Sequence, residues 1–488
     1  MKRGVRKKAI FAGVILFLLA AVTLFLLFYS KWIGIWRDLE RFSEMNYEGA
    51  FFSMYDISCY NEEDFATYRG VLTVKAEQPV ERWRNLSRYL DRIFSSPNTI
   101  TNVYLGLDPV VLWEKSQKKE EKWEENLARY LIPYITARQD VSFEILLPTY
   151  QLDHWTELSV SQLEENLNSY SRLIEDLSVY SNVTIFFLGG EQWLIANPAN
   201  YLENGQTNED VSRKLFLYTF CDKEYQIVPS NSSIFFDRLI AQVEQEWEAP
   251  TVYPDFSDLC MVFFGDSVFI YNAGSMSIPG VVGSLSGAQV YNCSQGGLSA
   301  SGDSAEFYNL NGFINHFLTQ DTAGLPDNVY LHELMDYIED SHEGKRHCFV
   351  INVGLNDYFS GLPIENPTDA YDTKTYAGAL RTGIRSLKEA YPEAVIILLT
   401  PTYTGEFSSG REVNGDRGGV LTDYVEAAVG VAEDMDVVCM NNYNDSGINA
   451  DTQEMYLADM THPNETGSFL LGRQIMNEMK RIIESLSL

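Results

Sequence analysis

The chain has 488 residues, 45% of them hydrophobic and 13% aromatic, with 16 prolines and a formal net charge of -32 at pH 7. That much apolar material excludes a disordered polymer, and the length exceeds what one hydrophobic core usually holds, so two domains are expected. The acidic balance excludes a surface for nucleic-acid phosphates or for anionic bilayer faces, and suits a neutral or cationic substrate, although solubility alone accounts for most of such a charge.

From the N-terminus, Lys2, Arg3, Arg6, Lys7 and Lys8 precede residues 9–29, which are apolar apart from Thr23. A run of about 20 apolar residues can cross a hydrocarbon core as a helix. The positive flank keeps the N-terminus in the cytoplasm and sends the remaining chain outside. Residues 1–30 therefore read as a basic tail and an uncleaved transmembrane signal anchor, with single-pass placement in the cell membrane. A cleaved signal peptide is the alternative, but its apolar region would be shorter and a small-x-small cleavage site would follow Leu27. Trp32 and Trp36 suit the outer membrane-water interface or ordinary packing.

The cysteines do not read as a disulfide framework. Cys260, Cys348 and Cys439 lie inside apolar strand-like runs and Cys293 closes another, where a free cysteine behaves as a small core hydrophobe. No CxxC spacing supports a metal site, and His332-Glu333-Leu334-Met335-Asp336 lacks the second histidine of a zinc-protease helix. His332, His342 and His347 are expected on a solvated helix and loop. No cofactor and no metal are expected.

In the C-terminal half, apolar runs at residues 259–264, 288–293, 348–353, 395–400 and 437–440 alternate with helical patterns at 375–390, 421–434 and 465–486. Such alternation predicts β-α units and a five-stranded parallel sheet between helical layers, a three-layer α/β/α domain of flavodoxin-like kind. In open sheets of this type ligands bind beyond the carboxyl ends of the strands. The chemistry-bearing motifs fall there. Gly265-Asp266-Ser267 follows the first run, Gly296-Gly297 the second, Gly354-Leu355-Asn356-Asp357 the third, and Asp459-Met460-Thr461-His462 precedes the last helix. A second Gly-Asp-Ser at Gly302-Asp303-Ser304 follows no apolar run and is set aside. A serine hydroxyl needs a histidine to take its proton and a carboxylate to orient that histidine. Taken singly, these motifs are ordinary turns and helix caps. Their order on successive strands argues for a serine hydrolase.

These blocks resemble those of the SGNH, or GDSL-type, hydrolases over residues 257–488. The resemblance implies Ser267 as nucleophile, with Val268 where many members carry leucine. It implies His462 as base and Asp459 as its orienting carboxylate. It further implies an oxyanion hole formed by the Ser267 N–H, a block-two glycine N–H and the Asn356 amide. Gly297 is the choice for the glycine, with Gly296 one register away.

Residues 45–250 repeat parts of this layout. Asn102 to Asp108 parallel Val350 to Asn356, Phe143 to Tyr150 parallel Ile396 to Tyr403, and Glu203 to Glu209 parallel Asp459 to Glu465. Self-similarity on this scale predicts a second α/β domain. Gln206 stands where the histidine would be, Asp108 where the asparagine would be, and no Gly-Asp-Ser precedes them. The first domain thus reads as a degenerate, noncatalytic copy that packs, shapes a cleft or binds a polymer through Trp113, Trp155 and Trp193, with core packing the default for those tryptophans. The two domains are expected to meet within residues 248–258.

The function expected is that of a membrane-anchored, extracytoplasmic esterase acting through a Ser-His-Asp triad, with O-acetyl groups on carbohydrate as a candidate ester. The same motifs fit an acyltransferase of envelope polysaccharide or a lipid esterase of lipase or lysophospholipase type. A noncatalytic binding or scaffold protein is the reading from outside the enzymes. Residues 357–376 and 404–419 are expected to be long loops lining the cleft.

Overall fold

The computed structural model describes residues 33–42, 47–55, 60–77, 80, 83–95, 99–109, 123–202, 207–248, 251–303, 308–320, 332–405 and 419–486. Residues 9–29, Trp32, Trp113, Gln206, Ser304 and most of 404–419 lie outside them. Among the described residues no helix is long and apolar enough to cross a membrane.

Two compact units partition the chain, one of residues 1–190 with 202–243 and one of 191–201 with 244–488. In the first unit the strands are β1 (Gly49–Ser53), β2 (Thr73–Lys75), β3 (Asn102–Gly106), β4 (Ser142–Leu146) and β5 (Val183–Phe186), in the order β2-β1-β3-β4-β5. In the second they are β6 (Leu259–Gly265), β7 (Gln289–Asn292), β8 (Arg346–Asn352), β9 (Val395–Leu399) and β10 (Val438–Met440), in the order β10-β9-β8-β6-β7. Every pairing is parallel. Numbered within its own unit, each sheet runs 2-1-3-4-5, the flavodoxin-like order. The strands are apolar on both faces because crossover helices cover both: all seven residues of β6 are buried, as are the last five of β8.

The internal parallels land on corresponding strands, the third and fourth of each sheet, but not at one common register. Asn102 pairs with Ser142, whereas Cys348 pairs with Val395. Superposing the β4 phrase on the β9 phrase therefore sets Asp108 level with Gly354 and not with Asn356. A slip of two residues keeps every side chain on its face, so the topology repeats while the ends of the strands differ. Asp108 is buried and accepts hydrogen bonds from the Tyr150 and Tyr170 hydroxyls.

Trp155 and Trp193 are 1% and 3% exposed, so they fill cores, the default for such large apolar side chains, and are not displayed to a polymer. Other expectations change at this level. His347 lies in β8, not in a loop, and His342, in the segment before it, is half-buried and packed. His342 stacks on Tyr337 at 4.1 Å, its Nε2 lies 2.7 Å from the Tyr337 carbonyl oxygen, and His347 Nε2 lies 3.1 Å from the Tyr337 hydroxyl. Burial and the neighbouring His342 hold the His347 pKa below its ordinary value. Among the described cysteines all are free, and burial pushes the Cys260 and Cys348 thiols up to about 12. Residues 191–201 join the second unit, where Asn197 Nδ2 donates to the Ser275 carbonyl and the Ser284 hydroxyl donates to Asn197 Oδ1.

Candidate active site

β6 and β8 are neighbours in the sheet although β7 lies between them in sequence, so the chain reverses its order of winding there. The loops beyond their carboxyl ends diverge at such a point and leave room for a ligand. Ser267 opens the helix Ser267–Ile270 directly after β6. Asp266 caps that helix, its Oδ1 accepting from the Val268 N–H at 3.0 Å, a role short polar side chains fill at a helix start.

The histidine arrives from the other end of the sequence. Leu457 and Pro463 form an antiparallel bridge, and Ala458 N donates to the His462 carbonyl at 2.8 Å. Inside this turn one carboxylate oxygen of Asp459 accepts from the backbone N–H groups of Thr461 (3.2 Å) and His462 (2.8 Å). Its other oxygen lies 2.7 Å from His462 Nδ1, while Nε2 of the same ring lies 2.8 Å from Ser267 Oγ. Asp459 thus builds the turn and orients the ring at once. Partial burial works to raise its pKa, but the His462 backbone and ring and the Thr461 N–H outweigh that and hold it below the ordinary carboxylate value. The carboxylate therefore keeps its charge more readily than a free aspartate as pH falls. Met460, between the two, takes φ +72°, which costs a side-chain-bearing residue about 1 kcal/mol.

Two further side chains lock this turn to the Ser267 segment, and no sequence motif marks either. Asn272, nearly buried, donates through Nδ2 to the Pro463 carbonyl (3.0 Å) and the Ser468 hydroxyl (2.9 Å). Tyr271 lies flat against His462, ring centroids 4.7 Å apart and planes 8° apart. A signal was present in the sequence only as adjacency: both follow Ser267 within five residues.

Gly354 begins the Leu355–Ser360 helix at φ +128°, and a Cβ there would fall 2.8 Å from both Pro401 Cγ and the Tyr376 hydroxyl. Only glycine fits, and the turn it allows presents Asn356. The Asn356 amide nitrogen donates to the Leu298 carbonyl at 3.0 Å and to Asp266 Oδ2 at 3.3 Å. It therefore ties the loop after β7 to the turn after β6. Gly297, next to Leu298, sits at φ +76° with nothing within 4 Å of where a Cβ would be, so its backbone lies open. Asp357 does not begin a loop over the cleft. It is fully buried in that helix, and accepts from the Ala300 N–H (2.7 Å), the Ser301 N–H (2.9 Å) and the Ser301 hydroxyl (2.5 Å). Residues following the helix fold back against it, with Leu362 N donating to the Asp357 carbonyl and Tyr376 N to that of Pro363.

Asp266 is the electrostatic anomaly of the site. Burial lifts its pKa to about 7, against the pull of the Val268 N–H, His462 and Asn356. A folded pKa above the unfolded one means that the folded state holds the extra proton, so stability falls as pH rises from about 4 to about 7 and then levels. Asp266→Asn has no such proton. Relative to the native chain its melting temperature is expected to rise as pH goes from 4.5 to 7.5; parallel melting curves across that range would show that Asp266 ionises without cost.

The structure thus brings Ser267, His462 and Asp459 into one chain of hydrogen bonds, and puts Asn356 and the Gly296–Gly297 loop at the same end of the sheet. Residues 263–468 match the family described as GDSL-like Lipase/Acylhydrolase. No curated protein matches the chain at a significant level. Among solved structures, a GDSL-like lipase from Parabacteroides merdae is 16% identical over 46% of this chain and 98% of its own, with a TM-score of 0.31. A member of the lipolytic G-D-S-L family from Veillonella parvula is 15% identical over 45% of this chain and 97% of its own, TM-score 0.29. The salicylyl-acyltransferase SsfX3 of a tetracycline biosynthetic pathway is 16% identical over 48% of this chain and 55% of its own, TM-score 0.30. With the four blocks, the 2-1-3-4-5 sheet and the family match falling on the same residues, the chain carries a GDSL-like lipase/acylhydrolase domain and is an enzyme of the ester-cleaving hydrolases.

Proposed function

We propose that the protein is a membrane-anchored, extracytoplasmic serine esterase in which Ser267, His462 and Asp459 act as the catalytic triad. The observation that carries this reading is the unbroken path from Asp459 Oδ2 to His462 Nδ1 and from Nε2 to Ser267 Oγ, at 2.7 and 2.8 Å. His462 takes the Ser267 proton as Oγ attacks the ester carbonyl, then gives it to the departing alcohol. A water activated by the same ring releases the acyl group.

The Ser267 N–H, the Gly297 N–H and the Asn356 amide would hold the oxyanion. Both amide hydrogens of Asn356 already have acceptors, so it joins the oxyanion by exchanging its longer contact, the one to Asp266. A neutral Asp266 gives up that contact more readily than an ionised one, because charge-assisted hydrogen bonds are the stronger.

The apolar residues 9–29 behind five cations support the anchor. An acidic surface outside the membrane suits an uncharged acylated carbohydrate better than an anionic lipid headgroup, and O-acetyl removal from such a polymer is the activity proposed. The first unit, with the same strand order but no Gly-Asp-Ser in its sequence and Gln206 where the internal parallel would set the histidine, is proposed as a noncatalytic copy.

The test is hydrolysis of p-nitrophenyl acetate, butyrate and octanoate and of acetylated xylan by the detergent-solubilised full chain. Acetate release exceeding octanoate hydrolysis supports the deacetylase. Preference for octanoate would replace it with a lipid esterase. Acyl transfer to an added sugar that outruns hydrolysis would replace it with a transferase.

A further inference from the structure

Tyr271 is placed as no packing requirement explains. The residue remains 45% exposed, so it gains less from burial than a core aromatic does. Yet its ring lies nearly parallel to the His462 imidazole, 4.7 Å away and 8° from coplanar alignment. The backbone makes this placement rigid. Tyr271 N donates to the Ser267 carbonyl at 2.9 Å, which puts the ring one helical turn after the nucleophile. The next residue, Asn272, is strapped to Pro463 and Ser468 on either side of the segment that follows His462. Residues 267–272 therefore carry the nucleophile at one end and a brace for the base at the other.

We propose that Tyr271 is a positioning residue that holds the His462 ring in the one orientation from which Nδ1 reaches Asp459 and Nε2 reaches Ser267. This inference rests on the catalytic role proposed for Ser267 and His462. The side chain of His462 is 23% exposed, and without the tyrosine one face of its ring would lie open to water and free to turn about χ2, a torsion with broad wells. A rotation of some tens of degrees breaks one or both hydrogen bonds, and misplacement on the order of 1 Å costs up to about a hundredfold in rate. The stack has a second effect during the reaction. As Oγ bonds to the carbonyl carbon its proton moves to Nε2 and the ring becomes cationic, and an aromatic face stabilises a cation set against it. When the proton passes to the leaving alcohol that stabilisation ends, so it acts on the proton-transfer states and not on substrate binding. The phenol hydroxyl has no part in either effect. Phenylalanine should replace Tyr271, whereas leucine, similar in bulk but without a π face, should not.

Full-length Tyr271→Phe and Tyr271→Leu would be compared with the native chain and with Ser267→Ala. The readouts are kcat and KM for p-nitrophenyl acetate, the rate of covalent labelling by a fluorophosphonate, and the melting temperature. Expected is a kcat about fivefold to twentyfold lower in Tyr271→Leu, a labelling rate lower by a similar factor, an unchanged KM and melting temperature, and near-native values throughout for Tyr271→Phe. A native kcat in Tyr271→Leu, or equal losses in the two variants, overturns the inference. So does a rise in KM with kcat intact, which would make Tyr271 a substrate contact. Failure of the underlying reading is distinguishable: hydrolysis and labelling would then persist in Ser267→Ala, and the role of Tyr271 would fall with that of the serine.

Discussion

Replacing His462 by alanine is expected to lower kcat for any ester the protein hydrolyses by about 10⁴-fold or more, with KM changed little. The reason is geometric. His462 Nε2 lies 2.8 Å from Ser267 Oγ, within reach to take its proton, and a hydroxyl that keeps its proton is a poor nucleophile. Ser267→Ala should lose as much, and the double variant no more than either, because residues acting as one unit are not additive. Fold is not expected to suffer. His462 is only partly buried, and the turn that carries it is held by backbone donors to Asp459 and by the Asn272 strap. Steady-state kinetics beside a melting curve would check both halves. A full 10⁴-fold loss from the first variant, followed by a further loss of similar size on adding the second, would mean that serine and histidine act in separate steps.

Asn356→Ala is expected to lower kcat by about 100-fold to 1000-fold, the effect of removing one oxyanion donor, about 3 to 4 kcal/mol. It also removes two hydrogen bonds that tie the turn after β6 to the loop after β7, which should lower stability by about 1 to 2 kcal/mol. Asn356→Asp makes the sharper test. It keeps the shape of the side chain but sets a second carboxylate beside Asp266, whose own pKa burial already raises to about 7, and two such groups at contact do not both ionise. The aspartate variant should be at least as inactive as the alanine variant and should recover some activity as pH falls below 7. Activity of Asn356→Asp near the native level at pH 8 would remove Asn356 from the oxyanion hole.

Much of the site was legible because each of its parts is a local event. Gly265-Asp266-Ser267 is a strand end followed by a capped helix, Gly354 to Asp357 is a glycine turn that opens a second helix, and Asp459 to His462 is a closed turn whose carboxylate binds its own backbone. Local hydrogen bonds leave residue-type signatures at fixed spacing, so short motifs report them. Asp357 is expected from sequence to open a loop, because nothing local marks the partners that bury it. Its buried set of three donors comes from Ala300 and Ser301, more than fifty residues away. Tyr271 and Asn272 escaped notice for the same reason: their partners, His462, Pro463 and Ser468, are nearly two hundred residues distant.

By itself the sequence determined the alternation of strands and helices, the five strands of the second sheet, and the residue types at the ends of those strands. These follow from hydrophobic period and turn chemistry, which act over a few residues. The strand order was expected only through likeness to a flavodoxin-like sheet, and the tertiary structure supplies the adjacency of β6 and β8 that brings Ser267 and Asn356 to one end of the sheet. It also decided that Trp155 and Trp193 are core, that residues 191–201 belong with the second unit, and that the two internal parallels differ by two residues in register. Parallel pairing joins strands distant in sequence through backbone groups common to every residue, so nothing in the residue types along one strand names its neighbour.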